Sequence, residues 1–422
     1  MEVRVRVERY ADQGRCVGHV DGQVVFVRFA LPGELVDVLL DEPHDRRDRF
    51  RTGEVVRVLE PSPDRVDPVW PLAGPLAWGG GLGGADLVHV NLSGQLAWKA
   101  DVIAQQMERL GGVRTPIPID RPEGDLARSG LNWRTRIDLV ADGQGRPSMR
   151  RRASHDRVPL TTMPLATRDL LDLADRYGIW EGGFRPGSRI RLAVPAAEGG
   201  AGDDFAILED GHVRQGVPRV REEVAVGVRT YSYRVDASGF WQVHCQAPSL
   251  LVSAVLSQAG PSAGRDRPPV VWDLYSGSGL FTLPLADRAT TPRRVLAVEG
   301  SARAVRDARR NLEAAGLSDV CLRQGDVGRI LAKGLPRRLA RPDLVLLDPP
   351  RAGAKAAVCG QIAQAGAGRI IYVACDPTSL ARDTRTLSDL GYRLDWIHAY
   401  DIYPMTHHVE TIAVFTRTRE SR

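Results

Sequence analysis

Near the N-terminus apolar and charged residues alternate: Val3, Val5 and Val7 interleave with Glu2, Arg4 and Arg6. The same period of two returns over residues 34–40 and 53–59, with the apolar run Val24-Val25-Phe26-Val27 between them. Such alternation puts successive side chains on opposite faces and marks strands with one buried side. Leu31-Pro32-Gly33 supplies a turn. Five short strands within residues 1–60 predict a small closed barrel of the oligonucleotide-binding kind, with an SH3-like interaction module as the alternative.

The alternation then stops. Residues 61–93 open with Pro61-Ser62-Pro63 and run into Gly79-Gly80-Gly81-Leu82-Gly83-Gly84. No strand precedes these glycines and no lysine–serine/threonine pair follows, so they read as a linker rather than a phosphate loop. Residues 94–111 carry the spacing of an amphipathic helix closed by glycines. Over 94–238 short strands mix with arginine-, glycine- and proline-rich loops, an α+β region. From 239 to 422 apolar segments at 270–275, 294–299, 343–347 and 369–374 alternate with helical stretches. A final pair lies near 393–399 and 409–416. That succession predicts an α/β fold: a doubly wound, Rossmann-like sheet ending in an antiparallel hairpin.

A chain of 422 residues suits two or three domains. No run is long and apolar enough to span a bilayer, and the charged N-terminus is unlike a signal peptide. A cytoplasmic monomer with no obligate protein partner and no membrane is expected. The net charge of +5 and pI near 9.1 are compatible with nucleic acid without requiring it. Two arginine clusters, Arg46, Arg47, Arg49 and Arg51, then Arg150, Arg151, Arg152 and Arg157, are either solvated loops or phosphate contacts. Cys16, Cys245, Cys321, Cys359 and Cys375 form no C-x-x-C pair, which argues against disulfides, zinc and iron–sulfur ligation.

Candidate chemistry clusters in the C-terminal half. The run Val270–Tyr275 leads into Gly277-Ser278-Gly279, where glycines let the backbone turn beneath a ligand. Leu280-Phe281-Thr282 follow, so the third glycine of a dinucleotide fingerprint is missing. Glu299 ends the next strand, placed to accept from ribose hydroxyls, and Asp326 follows the one after. This succession, with Tyr275 and Gly277, fits S-adenosylmethionine, which carries no pyrophosphate. Asp348-Pro349-Pro350-Arg351 lacks the aromatic that amino-group methyltransferases place after the prolines. Cys375 ends an apolar run and Asp376-Pro377 breaks the strand at once, setting the sulfur at the carboxyl edge where open sheets bind ligands. With Glu410 as a carboxylate base, these parts suit methyl transfer onto carbon 5 of a pyrimidine. His407 and His408 have no further ligand spaced to complete a metal site, so none is assigned.

This array resembles the RNA uracil-5 methyltransferase family over nearly the whole chain. The segment Phe26–Glu34 looks like the TRAM module of RNA-modifying enzymes, and Asn132-Trp133-Arg134-Thr135-Arg136 resembles a family segment near RNA. A buried tryptophan beside surface arginines is the alternative there. The resemblance implies an RNA substrate, tRNA or rRNA, and makes Cys375 the nucleophile and Glu410 the base. It also implies that Gln242, in Phe240-Trp241-Gln242-Val243, touches S-adenosylmethionine, with Gly277, Glu299, Asp326 and Asp348 completing the cofactor site; His244 stands where the family has Asn. The family's iron–sulfur cysteines are absent: Trp70 and Met163 stand at expected ligand positions, so no cluster is expected. Two other readings remain: an S-adenosylmethionine enzyme acting on cytosine or a small molecule, and a non-catalytic RNA-binding factor.

Overall fold

The computed structural model describes residues 1–41, 49–196, 202–260, 268–287, 293–317 and 319–418. Strands β1 (Glu2–Ala11), β2 (Arg15–Val20), β3 (Gln23–Arg28), β4 (Leu35–Leu40) and β5 (Phe50–Glu60) close into a barrel in the order β1-β2-β3-β5-β4. The alternating valines point inward: Val5, Val25, Val27, Val36, Val38 and Val55 are fully buried. Glycine at position 18 is required, because a Cβ there would lie 2.4 Å from Val5 Cγ1 and 2.6 Å from the Arg6 carbonyl.

The linker beyond the barrel makes two single turns, Pro71–Ala73 and Leu76–Trp78. It is held from outside. Arg152 donates to the carbonyls of Ala73 (2.8 Å), Gly74 (2.6 Å) and Leu82 (2.5 Å), and Arg151 to that of Gly80 (3.0 Å). The Arg152 guanidinium also lies 4.4 Å from the centre of the Phe29 ring. Both terminal nitrogens of Arg152 and Nη1 of Arg151 are thus spent on the linker, which argues against the phosphate-contact reading at these two positions; Arg150 stays exposed. Arg46 and Arg47 lie outside the described residues. Trp70 and Met163 are both buried in the core shared by barrel, linker and central region.

Helix α1 (Leu92–Gln106) is capped by the Asn91 side chain and runs into a π-helical turn, Met107–Gly111. Strand β6 (Ile119–Asp120) follows. The central region then forms a six-stranded antiparallel sheet in the order β12-β11-β10-β7-β8-β9. Its strands are β7 (Arg136–Ala141), β8 (Pro147–Arg150), β9 (Arg157–Pro159), β10 (Arg189–Ala193), β11 (Ala206–Glu209) and β12 (His212–Gly216), with α2 (Arg168–Arg176) between β9 and β10. A separate hairpin pairs β13 (Arg219–Val226) with β14 (Arg229–Asp236).

The C-terminal half contains α3 (Ala247–Ala259), β15 (Val270–Leu274), α4 (Thr282–Ala286), β16 (Arg294–Glu299), α5 (Ala302–Ala314), β17 (Cys321–Gln324) and α6 (Val327–Ala332). After these come β18 (Leu344–Leu347), α7 (Lys355–Ala365), β19 (Arg369–Ala374), α8 (Pro377–Asp389), β20 (Tyr392–Tyr400) and β21 (Glu410–Arg417). Eight strands pair in the order β17-β16-β15-β18-β19-β21-β20-β6. The first five are parallel and β21 runs antiparallel to both neighbours. Alternate residues feed opposite cores: Val270, Trp272 and Leu274 pack into one, Val271 into the other. Both faces are thus covered, which is why these strands read as unbroken apolar runs.

The far edge of this sheet is β6, parallel to β20. Ile103 and Met107 share one of the sheet's two cores. The segment from α1 to β6, placed with the central region on sequence, therefore packs with the C-terminal sheet through Ile103 and Met107, while Trp98 and Val102 on α1 pack into the core of the barrel and linker.

Candidate active site

A cavity of about 850 Å³ opens along the carboxyl ends of the parallel strands, and Gln242, Tyr275, Gly277, Glu299, Asp326, Asp348, Cys375 and Glu410 all line it. The loop after β15 turns sharply, with Tyr275, Gly277 and Gly279 at φ of 66°, 55° and 91°. Tyr275 adopts a conformation unusual for a residue with a side chain; its N–H is tied to the Val298 carbonyl at 2.8 Å. Glu299 accepts from the backbone N–H of Gly277 (3.0 Å) and Ser301 (2.6 Å). Those bonds fix the carboxylate at the strand end and leave further lone pairs for a ligand. Asp326 caps α6 by accepting from the Arg329 N–H at 2.9 Å.

Gln242 is buried, and its Oε1 has no hydrogen-bond partner. A buried acceptor left open costs free energy unless a ligand or water meets it. The neighbouring His244 is engaged elsewhere. Its Nε2 meets Asp125 Oδ2 at 2.9 Å and its ring stacks on Trp133, centroids 5.7 Å apart. Burial opposes charge on this ring, but its hydrogen bonds to Asp125 and Cys245 raise its pKa overall. Asp125 was not foreseeable, since nothing in the spacing links it to residue 244. In the segment 132–136 Trp133 is fully buried, as the alternative reading required, but Arg136 is no surface residue. It forms a buried ion pair with Glu222 at 3.0 Å. Arg134 reaches the cavity wall.

The thiol and the carboxylates meet at the sheet edge. Ala374 pairs with Thr411 across the antiparallel ladder, so the next residue on each strand, Cys375 and Glu410, come side by side. Cys375 is half-buried; burial, then Glu410 and Asp348, push its thiol up to about 12, while Arg351 alone acts in the opposite direction. Glu410 is buried, and burial followed by the Asp348 charge raises its pKa well above the ordinary carboxylate range. Burial with Asp273 and Glu299 raises Asp348 to about 7, and burial raises Asp273 to about 7. Because the Asp348 charge opposes ionisation of the buried Glu410, these two carboxyls retain a proton between them near neutrality.

The loop between β20 and β21 delivers Glu410, and α1 anchors it. Lys99 Nζ donates to Asp401 Oδ1 (2.5 Å) and the Tyr403 carbonyl (3.0 Å), Arg121 to Asp401 Oδ2 (2.5 Å), and Gln95 Oε1 accepts from the Met405 N–H (2.9 Å). Tyr403 lines the cavity, and burial with Glu410 and Cys375 raises its pKa, keeping the phenol neutral. A second cavity of about 300 Å³ reaches Cys375 from the barrel side, bordered by Gln13, Arg28, Asp86, Arg351 and His408. Sequence reasoning missed it because its walls come from separate stretches of chain. Among the described residues no group of three or more His, Cys, Asp or Glu side chains is placed to hold a metal ion.

Residues 212–418 match the model of the tRNA (uracil-5-)-methyltransferase family, and residues 1–47 match the TRAM domain. A Bifidobacterium longum protein named as an RNA methyltransferase is 60% identical over 99% of this chain and 97% of its own length. The 23S rRNA (uracil(1939)-C(5))-methyltransferase RlmD of Vibrio parahaemolyticus is 28% identical over 98% of this chain and 96% of its own. The fold is similar to that of the Pyrococcus abyssi tRNA (uracil-54, C5)-methyltransferase, solved with S-adenosyl-L-homocysteine. The TM-score is 0.67 at 21% identity, covering 98% of this chain and 99% of that one. An N-terminal barrel, a doubly wound sheet and these matches lead to one conclusion: the chain belongs to the S-adenosylmethionine-dependent RNA methyltransferases of the uracil-5 family that carry a TRAM domain.

Proposed function

We propose that the protein methylates carbon 5 of a specific uridine in tRNA or rRNA through a covalent bond between Cys375 and the base. The ladder register that sets Cys375 beside Glu410, on the cavity lined by the Tyr275–Gly277 turn, carries this reading. Gln242 with its open acceptor, the Gly277 turn, Glu299 and Asp326 are the residues that would hold S-adenosylmethionine; their acidic lining suits a cation. When bound it supplies the methyl group as an electrophile. We assign RNA contact to residues 1–60 and 94–238, and the chemistry to 239–422.

Cys375 releases its proton to water, and the sulfur forms a bond to carbon 6 of the uracil. The carbon 5–carbon 6 π electrons move onto the ring carbonyl, making carbon 5 nucleophilic. After methylation Glu410 removes the carbon 5 proton, the sulfur–carbon 6 bond breaks, and the thiolate is restored. Glu410 holds its proton in the empty site, where burial and the Asp348 charge raise its pKa, and passes that proton to water before it takes the one on carbon 5.

The test uses RNA carrying 5-fluorouridine with S-adenosylmethionine. Fluorine cannot leave as a proton, so a stable protein–RNA adduct through Cys375 is expected, and Cys375→Ala should lose both adduct and turnover. Methylation of natural RNA by the alanine variant would overturn the thiol-addition mechanism. Methylation of cytosine in place of uridine would overturn the choice of base.

A further inference from the structure

Three carboxyl groups and a phenol surround the Cys375 thiol: Glu410, Asp348, Asp376 and Tyr403. Each carboxylate disfavours a thiolate. Arg351 is a cation that acts against them, and it borders both cavities that reach the sulfur. Among the described residues no carboxylate forms an ion pair with Arg351; its guanidinium instead lies against the His408 ring, Nη2 3.0 Å from Nε2 and 3.4 Å from Nδ1. His408 is in turn packed against His407, ring centroids 4.1 Å apart, and edge-on against Tyr403 at 6.0 Å. His407 Nδ1 meets Asp86 Oδ2 at 2.6 Å. Asp86 lies under the β1–β2 turn of the barrel, where a side chain at Gly14 would come within 2.6 Å of its Cβ.

We infer that His408 is a positioning residue that holds Arg351 beside the Cys375 thiol, and that Asp86, acting through His407, sets His408 from the barrel side. This rests on the proposed thiol mechanism, and it joins the seating of the barrel to the readiness of the nucleophile. His408 can act as an acceptor because it stays neutral: burial, His407 and Arg351 push it down to about 3, outweighing Asp86. Lys99 is the remaining charge facing it, and it too disfavours protonation. A neutral ring lying against a guanidinium orients the cation without cancelling its charge, which a carboxylate partner would do. Among the described groups that act on the sulfur, Arg351 is the one that makes its ionisation easier, so its placement sets how much thiolate is available when the base arrives.

The reactivity of Cys375 reads this directly and needs no RNA. Iodoacetamide labelling of the full chain at about pH 9, followed at the Cys375 peptide, measures the thiolate fraction. An opposite charge within about 4–6 Å typically changes a thiol pKa by one or more, so His408→Ala should slow labelling about tenfold. His408→Gln, which keeps an acceptor, should recover most of the rate, and Asp86→Asn should slow it by a smaller factor. S-adenosylmethionine affinity, measured by calorimetry, should stay within threefold in all three. Labelling at the wild-type rate in His408→Ala overturns the inference, as does equal slowing in the alanine and glutamine variants. Methylation surviving Cys375→Ala would instead sink the proposed mechanism and leave the labelling result intact, so the two failures are distinguishable.

Discussion

Replacing Arg152 by methionine keeps a long apolar side chain and removes the charge and every donor. The structure sets the cost. Three carbonyls, those of Ala73, Gly74 and Leu82, lose a charged donor at 2.5–2.8 Å, each contact contributing about 1.5–3 kcal/mol. The contact over Phe29 at 4.4 Å adds about 1 kcal/mol. The Arg152 side chain is 10% exposed and its ion pair with Glu54 is long at 3.4 Å, so water replaces little of this and the ion pair adds little. These contacts together amount to about 5.5–10 kcal/mol. The burial cost of the guanidinium, which the substitution also removes, offsets part of this. About 4–6 kcal/mol of linker stability should be lost, comparable to the whole stability of a small domain. Amide hydrogen exchange reads it where the linker closes on itself, at the Gly81 N–H bonded to Gly74 and the Leu82 N–H bonded to Leu72. Their protection should fall by roughly a thousandfold, while amides of the parallel sheet keep theirs and S-adenosylmethionine affinity is unchanged. Protection within tenfold of wild type would refute the reasoning and make Arg152 a surface residue in energetic terms.

Glu410→Gln should still form the Cys375 bond but release product slowly, so that adduct accumulates on natural uridine; clean fast turnover removes Glu410 from the mechanism. Asp273 and Asp348 are raised to about 7 from 3.8, so the folded protein binds protons that the unfolded chain has released. Their stabilising contribution is full below about pH 4 and is lost as pH rises to about 7. A bound sulfonium offsets that loss, so S-adenosylmethionine should raise Tm more at about pH 8 than at about pH 5.5; equal increments would separate these carboxyls from cofactor binding. Arg150→Glu should weaken RNA binding and reduce the slope of log affinity against log salt by about one, whereas an unchanged slope makes Arg150 a solvated position.

Much of the site could be read from the chain because its members stand at strand ends. A parallel sheet buried on both faces writes each strand as an apolar run, and the first polar residue after the run marks the carboxyl edge. Glu299, Asp348 and Cys375 were found that way, and all three line one cavity with Gln242 and Glu410. Of the five barrel strands expected, β2 alone had no assigned position, since Cys16-Val17-Gly18 carries no alternation. Arg151 and Arg152 misled because a run of arginines looks the same whether it faces water or the carbonyls of a distant linker. Asp125 with His244, and Asp86 with His407, were invisible for a related reason: two residues far apart in sequence announce no pairing until the fold closes.

The two residues of β6 alter what it means to call the C-terminal half a domain. Asp401 is fully buried, and both cations that neutralise it, Lys99 and Arg121, come from before the central sheet. Cut the chain at the start of α3 and the remaining piece would keep the five adjacent parallel strands β15 to β19. It would also carry an uncompensated carboxylate in its interior and an open edge on β20. The ribosome releases α1 and β6 long before β20 exists, so these segments wait across a sequence separation of 280 residues for their place. The catalytic unit is thus interrupted rather than appended. The central sheet is in effect an insertion within it, and domain shuffling could move the barrel far more easily than it could move the chemistry.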